Sequence, residues 1–277
     1  MICNTCFRHC DIKENALGFC GARTCKDGLV VSANYGKITS IALDPIEKKP
    51  LRRFYPGSKI LSVGSYGCNL RCPFCQNNEI SWGESAKRFS KEADYISPEH
   101  LAEIAISCKD DKNLGVAFTY NEPLIGWEYV RDSAKLVKEA GMKNVMVTNG
   151  TATLEVLEEL KPYIDAMNID LKGFTEHYYN DFLGGNFEMT KAFIKEAVKF
   201  CHVELTTLII PGENDSEEEM SELSGWVSAM SPDIPLHISR FFPQFHLKDK
   251  EPTDVGHVYH LADIAREKLK YVYTGNC

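Results

Sequence analysis

KILSVGSYGCNLRCPFCQ, residues 59–76, joins a short apolar run to a loop that places three cysteines within eight positions. Residues 59–63 have the length and unbroken apolar character of a strand buried on both faces. Similar runs recur at 116–119, 145–148, 166–170, 203–210 and 235–239, which makes six. Helical patterns separate them. Ser97 and Pro98 open one helix with an N-cap and a first-turn proline. A second starts near Trp127 and stops at Gly141. Leu154, Leu157 and Leu160 mark a third, and a fourth covers about 187–199. Asp215 to Glu219 load the first turn of a fifth with the charge that a helix dipole favours. A sixth, about 254–268, precedes a last β-rich run at 271–273. Strand then helix, six times over, is the pattern of a parallel α/β fold. A closed eight-stranded barrel takes roughly 250 residues. Only about 220 remain here, so the expectation is a partial (β/α)6 barrel over 56–277.

Residues 1–55 read differently, as a small Cys-rich metal-binding and β-hairpin extension. The hairpin signal is two β-rich runs, 29–33 and 38–43, around Asn34-Tyr35-Gly36-Lys37. In parallel α/β folds the chemistry lies at the carboxyl ends of the strands. The unusual polar stretches of this chain are expected at those ends.

The 277 residues carry a formal net charge of −8, which argues against a nucleic-acid backbone as the main partner. Glu47-Lys48-Lys49 with Arg52-Arg53 reads as a solvated loop with its own counter-charge. No apolar run reaches membrane-spanning length, and no basic stretch followed by an apolar core opens the chain, so a cytoplasmic setting is expected. Eleven cysteines in a reducing compartment read as metal ligands or catalytic groups rather than disulfides. Cys3, Cys6, Cys10, Cys20 and Cys25 form one group, and Cys68, Cys72 and Cys75 a second. Cys108 and Cys201 read as buried structural thiols, and Cys277 stands alone.

Zinc in structural sites takes four ligands, and thiolate-rich sites usually bring two knuckles. Only one knuckle, Cys72-Pro73-Phe74-Cys75, is present in the second group. A [4Fe–4S] cluster normally takes four thiolates. With three, one iron stays open to another ligand. A zinc or redox dithiol loop is the alternative. In the first group Cys3, Cys6, Cys10 and Cys20 give four thiolates near the glycines Gly18 and Gly21. Structural zinc is the first reading there and an auxiliary [4Fe–4S] cluster the second. Unliganded thiols come third, with His9 able to replace one thiolate and Cys25 as a spare.

The Cys68-x3-Cys72-x2-Cys75 spacing after a strand, with Phe74 before the third cysteine, resembles the radical S-adenosylmethionine (SAM) enzymes. The resemblance implies that SAM is the missing ligand, chelating the open iron. The reduced cluster then cleaves SAM to a 5′-deoxyadenosyl radical that abstracts hydrogen. Thr119-Tyr120-Asn121-Glu122-Pro123 is similar to the family's Gly-Gly-Glu-Pro. By that match Asn121 and Glu122 are cofactor-binding candidates, Glu122 for the methionine amino group. Thr148-Asn149-Gly150 and Asn168-Ile169-Asp170-Leu171-Lys172 are similar to segments of the pyruvate formate-lyase-activating enzymes. This adds Thr148, Asn149, Asp170 and Lys172, the last two for the methionine carboxylate. Val147 stands where those enzymes carry the Asp of a monovalent-cation site. His237, at the expected end of the sixth strand, looks like a histidine facing the cofactor, with Arg240 as an alternative anion partner.

Several stretches resemble more narrowly the radical enzyme of the AmmeMemoRadiSam system. They include Asp44-Pro45-Ile46-Glu47-Lys48-Lys49-Pro50, Pro56-Gly57-Ser58, Cys75-Gln76-Asn77 and Tyr273-Thr274-Gly275-Asn276. The chain departs from that family at Cys6-Phe7-Arg8-His9-Cys10, where Cys-Pro-His-x-Cys is more usual, and it ends at Cys277. The resemblance implies an anaerobic enzyme with an electron donor such as flavodoxin or ferredoxin. The substrate is left open between a small molecule and a companion protein. A glycyl-radical-enzyme activase is the alternative. An iron–sulfur redox sensor or electron carrier is more remote, because a carrier needs neither an open iron nor polar strand ends.

Overall fold

The computed structural model describes the backbone of residues 1–277 and every side chain but those of Glu84 and Ser90. Twelve strands form in chain order: β1 (Arg23–Lys26), β2 (Leu29–Ser32), β3 (Lys37–Ile38), β4 (Ser40–Pro45), β5 (Lys59–Gly64), β6 (Asp94–Tyr95), β7 (Asn113–Phe118), β8 (Lys143–Thr148), β9 (Ala166–Asp170), β10 (His202–Ile209), β11 (Leu236–Arg240) and β12 (Val272–Gly275). The α-helices are α1 (Asn78–Ser81), α2 (Glu84–Glu92), α3 (Pro98–Ser107), α4 (Trp127–Glu139), α5 (Leu154–Leu160), α6 (Phe187–Ala197), α7 (Glu217–Met230) and α8 (Val255–Arg266).

One sheet of eight strands, ordered β12-β11-β10-β9-β8-β7-β5-β4, organises the molecule. From β5 to β12 every pairing is parallel, while β4 runs antiparallel along β5. Each strand from β5 to β11 leads through helix to the next, which is the expected partial (β/α)6 barrel with β12 and β4 added at its edges. The large core lies between sheet and helices. On α4, for example, Tyr129, Val130, Ser133, Ala134 and Val137 are buried, a one-sided helical stripe. The cap of α3 falls where the sequence placed it, with Ser97 accepting from the His100 N–H; α7 starts at Glu217 and is capped by Ser216, which accepts from the Glu219 N–H.

The opposite, inner face carries a smaller core in which Ile60, Ala117, Val145 and Ala166 of the strands meet Ile46, Leu51 and Phe54. Residues 46–54 therefore stopper one end of the barrel. Higher on the same face the register aligns Asp170, Thr206, His237 and Tyr273 in one row.

The N-terminal hairpin is not the one expected. The runs at 29–33 and 38–43 do not pair with each other. Instead β2 pairs with β1, and β4 with β5. The reason is local: Asp27 and Gly28 both adopt positive φ (53° and 74°), the two-residue turn that suits hairpin twist. Helices α1 and α2 were also not anticipated. Among the described residues no helix is long and apolar enough to cross a membrane.

Candidate active site

The cysteine loop leaves β5 at Gly64 and lies over the carboxyl ends of the strands. Cys72 is buried; Cys68 and Cys75 are partly exposed. The loop is held from several sides. The Arg71 N–H donates to the Leu183 carbonyl (2.9 Å), and its guanidinium to the carbonyls of Cys68 (2.8 Å) and Phe19 (2.5 Å). The Gln244 side chain donates to the Phe74 carbonyl (2.7 Å), and the His246 N–H to that of Pro73 (2.9 Å). Phe74 is buried and stacks on Phe182, with centroids 6.1 Å apart. The Leu70 N–H points at the Cys68 sulfur (3.4 Å). Burial raises all three thiols, Cys72 to about 12 even though the neighbouring Lys172 ammonium pulls it down. An electropositive centre is what would turn them into thiolates.

Glu122 follows β7 and is almost fully buried. Its carboxylate accepts from Thr148 Oγ1 (2.6 Å), the Asn149 N–H (2.8 Å) and the Leu124 N–H (3.0 Å). Burial lifts its pKa to about 7 against these bonds. Asn149 turns its side-chain amide to Asn69 Oδ1 (2.9 Å) and to the Cys68 sulfur (3.8 Å). At the end of β9, Lys172 Nζ meets Asp170 Oδ2 at 2.8 Å. Burial opposes the Lys172 charge, but Asp170 and the Cys72 thiol hold its pKa well above the usual range. Glu122, Thr148, Asn149, Asp170 and Lys172 are thus gathered around the loop, as the sequence suggested.

Three candidates stand elsewhere or are otherwise engaged. Asn121 is a staple: its Oδ1 accepts from the Ser65 N–H (2.9 Å), and its amide donates to the carbonyls of Tyr66 (3.1 Å) and Gly67 (3.2 Å). His237 is not at its strand end. It is the second residue of β11, inside the barrel, with Nε2 2.6 Å from Glu204 Oε2 and its ring stacked on Tyr273. The sequence hid this because the strand begins one residue later, and runs one further, than its apolar run. Arg240 does end β11, and its Nε donates to the Thr253 carbonyl (2.7 Å).

Glu204 was missed altogether, and Asn69, which leads into the cysteine loop, was given no role. Each is fully buried. A charged residue inside an apolar strand run was the available signal for Glu204. Tyr178 was missed too: its hydroxyl is buried without a hydrogen-bond partner, and its ring packs on Phe182, which stacks on Phe74 of the cysteine loop. Buried hydroxyls are seldom left so. Among the described residues, no three Cys, His, Asp or Glu side chains converge on a position for a single metal ion.

Three thiols on a loop over a partial barrel, ringed by a carboxylate, amides and an ammonium, define a site built for a thiolate-held cofactor with an open position. The model of the radical SAM superfamily matches residues 62–224, and the chain belongs to that superfamily. An uncharacterized protein of Methanocaldococcus jannaschii is 37% identical over 99% of this chain and 80% of its own length. The pyruvate formate-lyase 1-activating enzyme of Escherichia coli is 25% identical over 63% of this chain and 70% of its own length. The structure of Streptococcus suis SuiB bound to S-adenosylmethionine superposes with a TM-score of 0.61 at 16% identity, covering 79% of this chain and 52% of SuiB.

Membership makes the chain an enzyme and implies a [4Fe–4S] cluster and SAM, together with a reductant and a substrate. The residues present fit the cluster. Three cysteines have the right chemistry, and the orphaned Tyr178 hydroxyl, whose ring packs through Phe182 toward Phe74 of the loop, lacks an acceptor that cluster sulfur would supply.

Proposed function

We propose that Cys68, Cys72 and Cys75 hold the cluster and that this enzyme uses SAM to abstract hydrogen from a substrate placed over the barrel mouth. When bound, the cluster supplies one electron that splits SAM into methionine and a 5′-deoxyadenosyl radical. The observation that carries this reading is the ring of groups around the loop. Buried Glu122, fixed by Thr148 and Asn149, receives the methionine ammonium. Lys172, oriented by Asp170, receives the methionine carboxylate, with Arg240 across the mouth as a further cation. Phe74 and Phe182 wall the loop with apolar surface and limit water beside it. Asn121 keeps the loop's entry from β5 in place, and His237 shapes the chamber below through Glu204.

Within the superfamily, the motif resemblance supports a reading of the chain as an AmmeMemoRadiSam-type radical enzyme acting on a small molecule or a companion protein. Glycyl-radical activation is the second reading, favoured by the similarity to the E. coli activating enzyme. All eleven cysteines are free thiols, which suits an anaerobic, cytoplasmic setting with flavodoxin or ferredoxin as donor. Cys3, Cys6, Cys10 and Cys20 form a second metal site in this reading, and residues 1–55 are the extension that carries it on a barrel of residues 56–277.

The test is 5′-deoxyadenosine formation by the anaerobically reconstituted protein with SAM and a strong reductant, beside Cys72→Ala. Product from the wild type alone supports the assignment. None from a fully iron-loaded wild type counts against it. An organic radical raised on a glycyl-radical enzyme would move the substrate assignment to the second reading.

A further inference from the structure

The N-terminal thiols repeat the spacing of the cluster loop in reverse: Cys3-x2-Cys6-x3-Cys10 against Cys68-x3-Cys72-x2-Cys75. Cys3, Cys6 and Cys20 are buried and Cys10 is half-buried, and all four line one cavity with Ile12 and Ile125. A zinc ion would need its thiolates about 3.8 Å apart, given Zn–S bonds near 2.3 Å. The single-ion convergence absent among the described residues is absent here as it is at the cluster loop.

The two thiol groups are also joined. The Cys20 carbonyl accepts from the Cys68 N–H (3.2 Å). Arg8 Nε donates to the Asn69 carbonyl (2.8 Å), one residue past Cys68. The Asn69 Nδ2 donates to the Thr151 carbonyl (2.7 Å), and its Oδ1 accepts from Asn149, whose amide in turn lies 3.8 Å from the Cys68 sulfur. Arg8, which lies between Cys6 and Cys10, and the two side-chain amides therefore form a hydrogen-bonded path from one cysteine group to the other. A structural zinc has no use for such a bridge, because zinc carries no electron.

We propose that Cys3, Cys6, Cys10 and Cys20 hold a second [4Fe–4S] cluster, and that the Asn69–Asn149 pair couples it to the cluster of the barrel loop. This rests on the reading of Cys68, Cys72 and Cys75 given above. Electrons enter singly. A low-potential flavodoxin- or ferredoxin-type donor loses one, the N-terminal cluster takes it up, and passes it to the barrel cluster, with no bond made or broken. Cys25 lies outside the ligand set, its thiol hydrogen-bonded to the Glu14 carboxylate (3.3 Å).

The experiment uses the full chain, produced anaerobically with iron and zinc both supplied. The Cys68→Ala/Cys72→Ala/Cys75→Ala variant should keep about four irons and four sulfides per chain, and the wild type about eight irons. On reduction the variant should give a single-cluster paramagnetic resonance signal, and the wild type a broadened one from two interacting spins. The Cys3→Ser/Cys6→Ser variant should keep the barrel cluster, which flavodoxin should then reduce at least tenfold more slowly in stopped flow. One zinc and no iron in the triple variant overturns the second cluster, as does a triple variant that folds but binds no metal. Unbroadened wild-type spectra, or an unchanged reduction rate, overturn the coupling. Loss of all iron from a folded Cys3→Ser/Cys6→Ser variant would instead indict the barrel-loop assignment.

Discussion

Glu122 illustrates how much one side chain can be asked to do. Its oxygens satisfy a hydroxyl and two backbone N–H groups while burial keeps its pKa near 7. A carboxylate so placed gains strongly from a cation arriving beside it. Glu122→Gln keeps the shape but turns an amide NH2 toward groups that already donate. We expect it to lower stability by about 1–3 kcal/mol and to weaken SAM binding tenfold or more, since hydrogen bonds to charged groups are worth about 1.5–3 kcal/mol. Equilibrium dialysis with SAM, beside urea unfolding, checks both. An unchanged SAM affinity would remove Glu122 from the site. Tyr178 makes the complementary case. Its hydroxyl lacks a partner in the chain, so Tyr178→Phe should leave the cluster-free protein as stable or slightly more so. With the cluster bound it should lower the midpoint potential, because a donor to sulfur is gone. One neutral hydrogen bond of about 1 kcal/mol corresponds to roughly 40 mV for one electron. A spectroelectrochemical titration showing no shift would mean that the hydroxyl never reaches the cluster. Glu122 was legible in the sequence through its motif. Tyr178 was not, because nothing in Tyr178-Tyr179 tells which of the two hydroxyls is buried without a partner.

At the scale of elements, the six strand–helix units were legible because parallel strands covered on both faces must be short and apolar, and the helices between them carry one-sided stripes and caps. What the pattern could not show was partnership. The runs at 29–33 and 38–43 look like a hairpin, but a run of β-formers does not name its neighbour; Asp27-Gly28 does, by its turn geometry. The same limit hid how closely the N-terminal lobe sits on the cysteine loop. Gly67 marks that contact. Its φ is +93°, and a Cβ there would stand 2.6 Å from the Cys20 carbonyl oxygen. Gly67→Ala combines backbone strain of about 1–3 kcal/mol with a collision that neither backbone can relieve locally. We expect it to destabilise the chain by at least that strain and to speed hydrogen exchange at residues 18–23. Exchange confined to the barrel loop would show that the two lobes do not lean on each other here.

For the whole molecule, the closed end of the barrel gathers its hydrogen bonds on one buried carboxylate, and the motif at residues 44–50 marks the stopper without naming that partner. Glu204 is fully buried on the inner face. Arg52 and Arg53 give it their backbone N–H groups at 3.0 and 2.7 Å, while the rings of His202 and His237 approach at 3.0 and 2.6 Å. The stopper of residues 46–54, two barrel strands and the residue expected to face the cofactor thus meet at one carboxylate. Burial alone would raise its pKa; the bonds from His202, His237 and Arg53 outweigh that and lower it to about 2. An acid depressed by folding stabilises the native state fully above its unfolded value, near 4.5, and loses that contribution as pH falls through its folded value. The gap is worth about 3 kcal/mol. Glu204→Gln should therefore be less stable than the wild type by about that amount near neutral pH, with the difference shrinking steadily below pH 4.5, where the unfolded wild-type chain takes up a proton that the native carboxylate does not bind until about pH 2. Urea unfolding of both proteins at pH 7, 5, 4 and 3 measures it. Parallel curves would mean that Glu204 holds the stopper by shape alone, whereas convergence would show that its charge ties residues 46–54 to the strands.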